Sequence, residues 1–246
     1  MTDCVPDSLS ILGTPVSVFE SADDVVQLIR RRILLRRPTF CVAINPEKVY
    51  RAKHDPRLMQ ALDFANVRIC DGVGISLASR LLYGKRLARC TGIDLFMNLV
   101  RLAAREKWKV YLLGASPQVN EAASLELART IPGLVIAGRQ HGYFQNSAEV
   151  VENINESGAD LLFVAMGSPR QEFWIREHMA TLKTTFCMGV GGSLDVVSGA
   201  VKRAPAFYRK TGTEWLFRLV SEPSRLRRQA ALPLFTLDIL RAVIHH

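Results

Sequence analysis

Asp160 to Ile175 reads DLLFVAMGSPRQEFWI, and this stretch decides how the rest of the chain is read. It opens on an unbroken apolar run rich in β-forming residues, turns through Gly167-Ser168-Pro169, and leaves as a pattern with Phe173 and Trp174 on one side. That order predicts a buried parallel strand, a tight turn and the start of a helix. Open α/β sheets bind ligands at the carboxyl ends of such strands, and the amino terminus of the following helix favours anions. The first reading is a phosphate-facing turn.

The same punctuation recurs on both sides. Ser8 to Phe19 predicts two short strands around Gly13-Thr14, and Val25, Leu28, Ile29 and Ile33 recur at helical spacing after Ser21, a plausible N-cap, up to about Leu35. Phe40 to Ile44 is a buried strand that breaks at Asn45-Pro46, and a helix pair interrupted at Asp55-Pro56 covers Glu47 to Ala65. Val67 to Cys70 is another strand, ending in Asp71-Gly72-Val73-Gly74; helices then run to Leu82 and from Ile93 to Glu106. Strands follow at Lys109 to Leu113, which ends in Gly114-Ala115-Ser116-Pro117, and near Leu134 to Ala137, with a helix to Thr130 between them. After a Gly142-Tyr143-Phe144 loop, Asn146 or Ser147 caps a helix to Ser157, and Thr185 to Met188 is the last strand, ending in Gly189-Val190-Gly191-Gly192.

Strands alternating with helices imply βαβ units: an α/β fold with a Rossmann-like, mostly parallel sheet flanked by helices. Right-handed crossovers gather the glycine-rich strand ends along one edge. A boundary is expected near Lys202 to Pro205, dividing an α/β core, 1–200, from a basic helical C-terminal appendage, 201–246.

Composition narrows the partners. With 246 residues, 48% hydrophobic and 22% charged, the chain can bury a sizeable core. The opening MTDCVPDSLS shows no export signal, and five scattered cysteines without a C-x-x-C suit a reducing, cytosolic location. The net charge of +9 points to anionic partners, and from Val201 onward nine basic residues face three acidic ones. Arg30, Arg31, Arg32, Arg36 and Arg37 read as the solvated end of the first helix, where cations suit the dipole. Ala230 to Ile244 is apolar apart from Asp238 and Arg241, and with Pro233 inside it is too short and too polar to span a bilayer. It suits an interfacial helix on anionic lipid, or equally an amphipathic helix packed on the domain or on another subunit, as in a homo-oligomer.

Several chemistries lack their motif. Leu194 and Leu77 stand where a dinucleotide fingerprint wants its third glycine, there is no G-x-x-x-x-G-K-[ST], and no D-x-D, H-E-x-x-H or cysteine/histidine cluster marks a metal site. A bound diphosphate must then be neutralised by backbone amides, helix dipoles and arginines. Asp71, after an apolar strand and before flexible glycines, is placed to act as a general base or, equally, to bind its own backbone in a turn. Asp195 could accept from a ribose hydroxyl or cap a helix, and Gln171 could bind a base or sugar or lie on a helix surface.

Longer motifs in fixed order add to this. They are Ala43-Ile44-Asn45-Pro46-Glu47-Lys48, Asp71-Gly72-Val73-Gly74, Arg89-Cys90-Thr91-Gly92-Ile93-Asp94, Val164 through Glu172, Gly189 through Asp195, Lys202-Arg203-Ala204-Pro205, and Glu214-Trp215-Leu216 through Arg228. On them the chain resembles the WecG/TagA/CpsF glycosyltransferases, glycosyltransferase family twenty-six, over nearly its whole length. The likeness is greatest to the branch that transfers N-acetylmannosaminuronic acid in enterobacterial common antigen assembly.

The resemblance implies an inverting transfer, without metal or other cofactor, from a UDP-sugar to an undecaprenyl-diphosphate-linked saccharide at the inner face of the bacterial membrane. N-acetylmannosaminuronic acid is the expected sugar, with N-acetylmannosamine or glucose as alternatives. It implies Asp71 as general base and Arg89 at the diphosphate. Gly114, Tyr143, Gln171, Gly191 and Asp195 would line the UDP pocket, and Arg218, Arg225 and Arg228 would close over the site from the appendage. Some relatives carry a threonine where this chain has Ala43, which leaves Asn45 as the nearest polar substitute. The competing readings are a non-catalytic basic nucleotide- or RNA-binding module, which would bind with steep salt dependence, and a nicotinamide oxidoreductase, which the incomplete glycine fingerprints disfavour. No recognised nucleic-acid module is present, so no nucleic-acid partner is expected.

Overall fold

The computed structural model describes residues 6–221 and 230–244. Six apolar runs form one sheet: β3 (Thr39–Ile44), β4 (Val67–Cys70), β5 (Lys109–Gly114), β6 (Val135–Gln140), β7 (Leu161–Ala165) and β8 (Phe186–Gly189). Their spatial order is β4-β3-β8-β7-β5-β6, and every pairing is parallel. β7, from the stretch read first, is buried on both faces. Its side chains divide by the two-residue period of a strand: Leu162 and Val164 enter one core layer, Leu161, Phe163 and Ala165 the other. A separate antiparallel hairpin, β1 (Ser8–Ile11) and β2 (Thr14–Ser17), packs against β4.

The first layer is closed by α2 (Pro46–His54), α3 (Pro56–Phe64), α7 (Ser147–Glu156) and α8 (Arg170–His178), through residues such as Val49, Leu62, Ile154 and Ile175. The second is closed by α1 (Ala22–Leu34), α5 (Gly92–Glu106), α6 (Pro117–Thr130) and α9 (Ser193–Val197), through Ile29, Phe96, Leu99, Leu127 and Leu194. α6 after β5 and α8 after β7 thus lie on opposite faces of neighbouring strands. Between β5 and β7 the connections depart in opposite directions, which is where open α/β sheets leave a crevice.

Helix starts follow their caps. Ser21 makes the capping box with Asp24 that starts α1, Asn45 caps α2, Asp55 caps α3, and Asn146, of the two choices in the sequence, caps α7. The arginine cluster needs a correction. Arg32 is buried, and its guanidinium donates from Nε to Thr39 Oγ1 at 2.7 Å and from Nη2 to the Pro38 carbonyl at 3.2 Å, tying the end of α1 to the start of β3. Arg30 and Arg36 pair with Glu106 and Asp160.

The appendage folds back on the core. α4 (Val73–Tyr83) runs out from the end of β4, and α12 (Ala231–Ile244) lies against α2 and α4 with Ala231, Phe235 and Ile239 buried. Asp238 meets Lys53 of α2 at 2.8 Å. Between them, α10 (Ala206–Thr211) and α11 (Glu214–Ser221) lead off from the core's last turn. Among the described residues no helix is long and apolar enough to cross a membrane.

Candidate active site

A cavity of about 1060 Å³ opens at the carboxyl edge of the sheet, with Asp71, Arg89, Asn45, Gln171 and the Gly189–Gly192 turn on its walls. Asp71 stands there because β4 ends one residue earlier, with its amide held to the Ile44 carbonyl at 2.8 Å. Close backbone approach surrounds it. A Cβ on Gly74 would come within 2.6 Å of Pro46, and one on Gly92 would meet Ala43 Cβ at 3.4 Å and Asp71 Oδ2 at 3.8 Å. The carboxylate therefore lies beside the first residue of α5, the positive end of that helix dipole. The buried thiols of Cys70 and Cys90 are both pushed up to about 12, first by burial and then by the negative charge of Asp71. These cysteines are packing residues without nucleophilic character.

Arg89 is covered by the appendage. Gly212, with φ +76° in the turn between α10 and α11, approaches so closely that a Cβ there would meet Arg89 Nη1 at 2.9 Å and Val73 Cβ at 2.9 Å. Glu214 and Trp215 extend the same wall. Arg203 holds the root of the appendage by pairing with Asp94, whose other oxygen accepts from Thr91 Oγ1 at 2.6 Å.

Gln171 is only 3% exposed, so it is not the surface helix residue that was one of its sequence readings. Its Nε2 donates to Glu172 Oε1 at 3.0 Å, while its Oε1 accepts from the Gly191 amide at 3.0 Å. Lys48 Nζ donates to the same Glu172 oxygen at 2.7 Å, with side-chain exposures of 6% and 1%. Burial, the largest influence, would raise the Glu172 carboxyl; the Lys48 charge and the hydrogen bonds from Lys48, Gln171 and Ser168 outweigh it and hold the group below the usual carboxylate range. The chain thus runs Lys48, Glu172, Gln171, Gly191, bracing three strand ends. Sequence reasoning missed it because Lys48 and Glu172 are 124 residues apart; the only signal was that both fall inside the long motifs.

The other expected residues are distributed unevenly. Asn45 lines the cavity, with Oδ1 committed to the Lys48 amide at 2.8 Å. Gly191 lines it with φ +51°. Gly114 ends β5 at the β5/β7 crevice, where a Cβ would strike the Ala165 carbonyl at 2.4 Å; it is outside the cavity lining. Tyr143 is 74% exposed on the neighbouring loop, also outside the lining, as is Asp195 in the first turn of α9. Arg218 belongs to α11, whereas Arg225 and Arg228 lie outside the described residues.

Residues 9–246 match the profile of the glycosyl transferase WecG/TagA/CpsF family. The chain belongs to that family. It is therefore a glycosyltransferase, and the binding-module and oxidoreductase readings fall away. Among curated proteins it is 36% identical over 202 residues, 82% of this chain and 79% of the relative, to the N-acetylglucosaminyldiphosphoundecaprenol N-acetyl-beta-D-mannosaminyltransferase of Bacillus spizizenii. It is 37% identical over 204 residues, 82% of this chain and 80% of the relative, to the protein of that name in Staphylococcus aureus. In Bacillus subtilis the match is 33% over 198 residues, covering 80% and 77%. These relatives of the WecG/TagA/CpsF family are named for N-acetylmannosamine, which favours the alternative donor over the uronic acid expected first.

Proposed function

We propose that the protein transfers N-acetylmannosamine from its UDP derivative to undecaprenyl-diphosphate-linked N-acetylglucosamine, with inversion and without a metal ion, at the inner face of the cytoplasmic membrane. The observation that carries the reading is the convergence of Asp71, Arg89 and the glycine-rich strand ends on one cavity, in a chain whose relatives bear that activity in their names. Asp71 takes the proton from the acceptor hydroxyl as its oxygen attacks the anomeric carbon of the donor. The bond from that carbon to the diphosphate oxygen breaks, and UDP leaves with the electron pair. Arg89 and the amides of the Gly189–Gly192 turn offset the charge that gathers on the leaving diphosphate. The β5/β7 crevice, with Gly114 and Tyr143, takes the nucleoside end.

The test is a transfer assay with a lipid-diphosphate N-acetylglucosamine acceptor and a panel of UDP-sugars, with and without a chelator. UDP-N-acetylmannosamine should be turned over fastest and EDTA should leave the rate unchanged; preference for the uronic acid or glucose, or strict dependence on a divalent ion, would refute the assignment. Asp71→Asn should lower kcat by about 10²–10⁴ while UDP affinity, measured by calorimetry, stays at the wild-type value. Near-normal turnover in that variant would remove Asp71 as the base.

A further inference from the structure

One side of the cavity wall, between α4 and α12, is lined by leucines, a phenylalanine and an isoleucine. Leu77 and Leu81 follow Val73 on α4 at four-residue intervals, so they share one helix face, each step carrying about 6 Å away from Asp71. Across from them, α12 lines the cavity with Leu232, Phe235, Ile239 and Leu240. The hydroxyl that α12 adds to this wall, Thr236, donates its hydrogen to the Leu232 carbonyl at 3.0 Å, which leaves none for a phosphate oxygen. A diphosphate placed here would lose its water without regaining hydrogen bonds, and a saccharide would regain few. Yet Leu77 and Leu81 stay 53% and 48% exposed, so among the described residues apolar surface inside the cavity is left uncovered.

We infer that this trough between α4 and α12 holds the first isoprene units of a polyprenyl diphosphate, with its sugar-diphosphate head toward Asp71 and the chain running outward along α4. The inference rests on the lipid-linked-acceptor reading above and adds the place of the hydrocarbon. Continuity argues for this occupant: one cavity contains the carboxylate, the arginine and the trough, so a molecule with a polar head and an apolar tail fills it along its length. A bilayer surface is the competing occupant, but the α12 side chains suited to it, Leu234, Leu237, Val243 and Ile244, are exposed and lie outside the cavity lining.

The experiment uses the full chain and two probes, geranylgeranyl diphosphate and inorganic diphosphate, titrated by calorimetry. Wild-type protein should bind the prenyl probe at least about tenfold more tightly than diphosphate, the scale expected for burying a few apolar groups. Leu77→Gln/Leu81→Gln should erase most of that advantage, and Leu240→Gln, from the opposite wall, should do the same. Leu125→Gln, on exposed α6 surface far from the cavity, should not. Equal affinity for the two probes in wild type, or an unchanged advantage in the trough variants, would overturn the inference. So would loss of binding to phosphatidylglycerol vesicles by the double variant with its prenyl advantage intact, because the wall would then be a membrane face. A wild-type protein that prefers the prenyl probe but transfers sugar to no lipid-linked acceptor would reject the reaction and support the trough.

Discussion

Glu172 shows how much one buried charge can organise. Removing one partner of a buried ion pair strands the other and costs about 3–5 kcal/mol, so Glu172→Gln should lower the unfolding free energy measured by urea titration by that order. Because the pair props Gln171 under the Gly191 amide, the KM for the UDP-sugar should rise more than kcat falls. A purely structural role would lower the active fraction and leave KM alone. The pH dependence follows from the direction of the shift. With the folded carboxyl below its usual range, the stabilisation is fully present above the unfolded pKa of about 4.3 and is lost as pH falls through the lower folded value. The gap in stability between wild type and Glu172→Gln should therefore narrow on acidification below about pH 4, as urea titrations at stepped pH would show.

At the scale of elements, the turn between α10 and α11 closes the site. Gly212 takes a left-handed conformation and leaves no room for a Cβ against Arg89 and Val73. Gly212→Ala should cost about 1–2 kcal/mol in backbone strain and also displace the arginine, with turnover falling about tenfold, equivalent to about 1.4 kcal/mol. Gly199→Ala is the matched control: its φ is +79° but nothing lies within 4 Å, so it carries the strain without touching Arg89. Equal kcat in the two variants would show that the turn does not position Arg89. α12 is held differently. The Lys53–Asp238 pair is partly exposed and contributes at most about 1 kcal/mol, so Phe235 and Ile239 supply most of its attachment.

For the whole molecule the appendage joins charge to cavity. Deleting 201–246 removes the apolar wall of α12, the Gly212 cover on Arg89 and two thirds of the net charge of +9. The truncated chain should lose most of its transfer activity and its sedimentation with anionic vesicles. In the intact protein that sedimentation should weaken as salt rises from about 0.01 to 0.1 M, over which the screening length falls from about 30 to 10 Å. A truncation that stays fully active and binds vesicles would separate the appendage from both roles.

By itself the sequence determined the strands, their helices and the edge on which the cavity opens. Apolar runs, caps and glycine turns are local signals, read within one or two turns of chain. Asp71 and the Gly189–Gly192 turn were legible for that reason: each marks the abrupt end of an apolar run. The tertiary structure decided what depends on distant partners. The order β4-β3-β8-β7-β5-β6 places the crevice between strands whose connections part, which no periodicity records. Arg32 proved to be a buried clamp because Thr39 lies beside it in space. Gln171 became a strut because Lys48, 124 residues from Glu172, neutralises the carboxylate next to it. The apolar C-terminal helix could equally have met lipid, another subunit or its own core. Folding placed one of its faces on α2 and α4, because Phe235 and Ile239 found apolar partners there, and left the rest open to the cavity and to solvent.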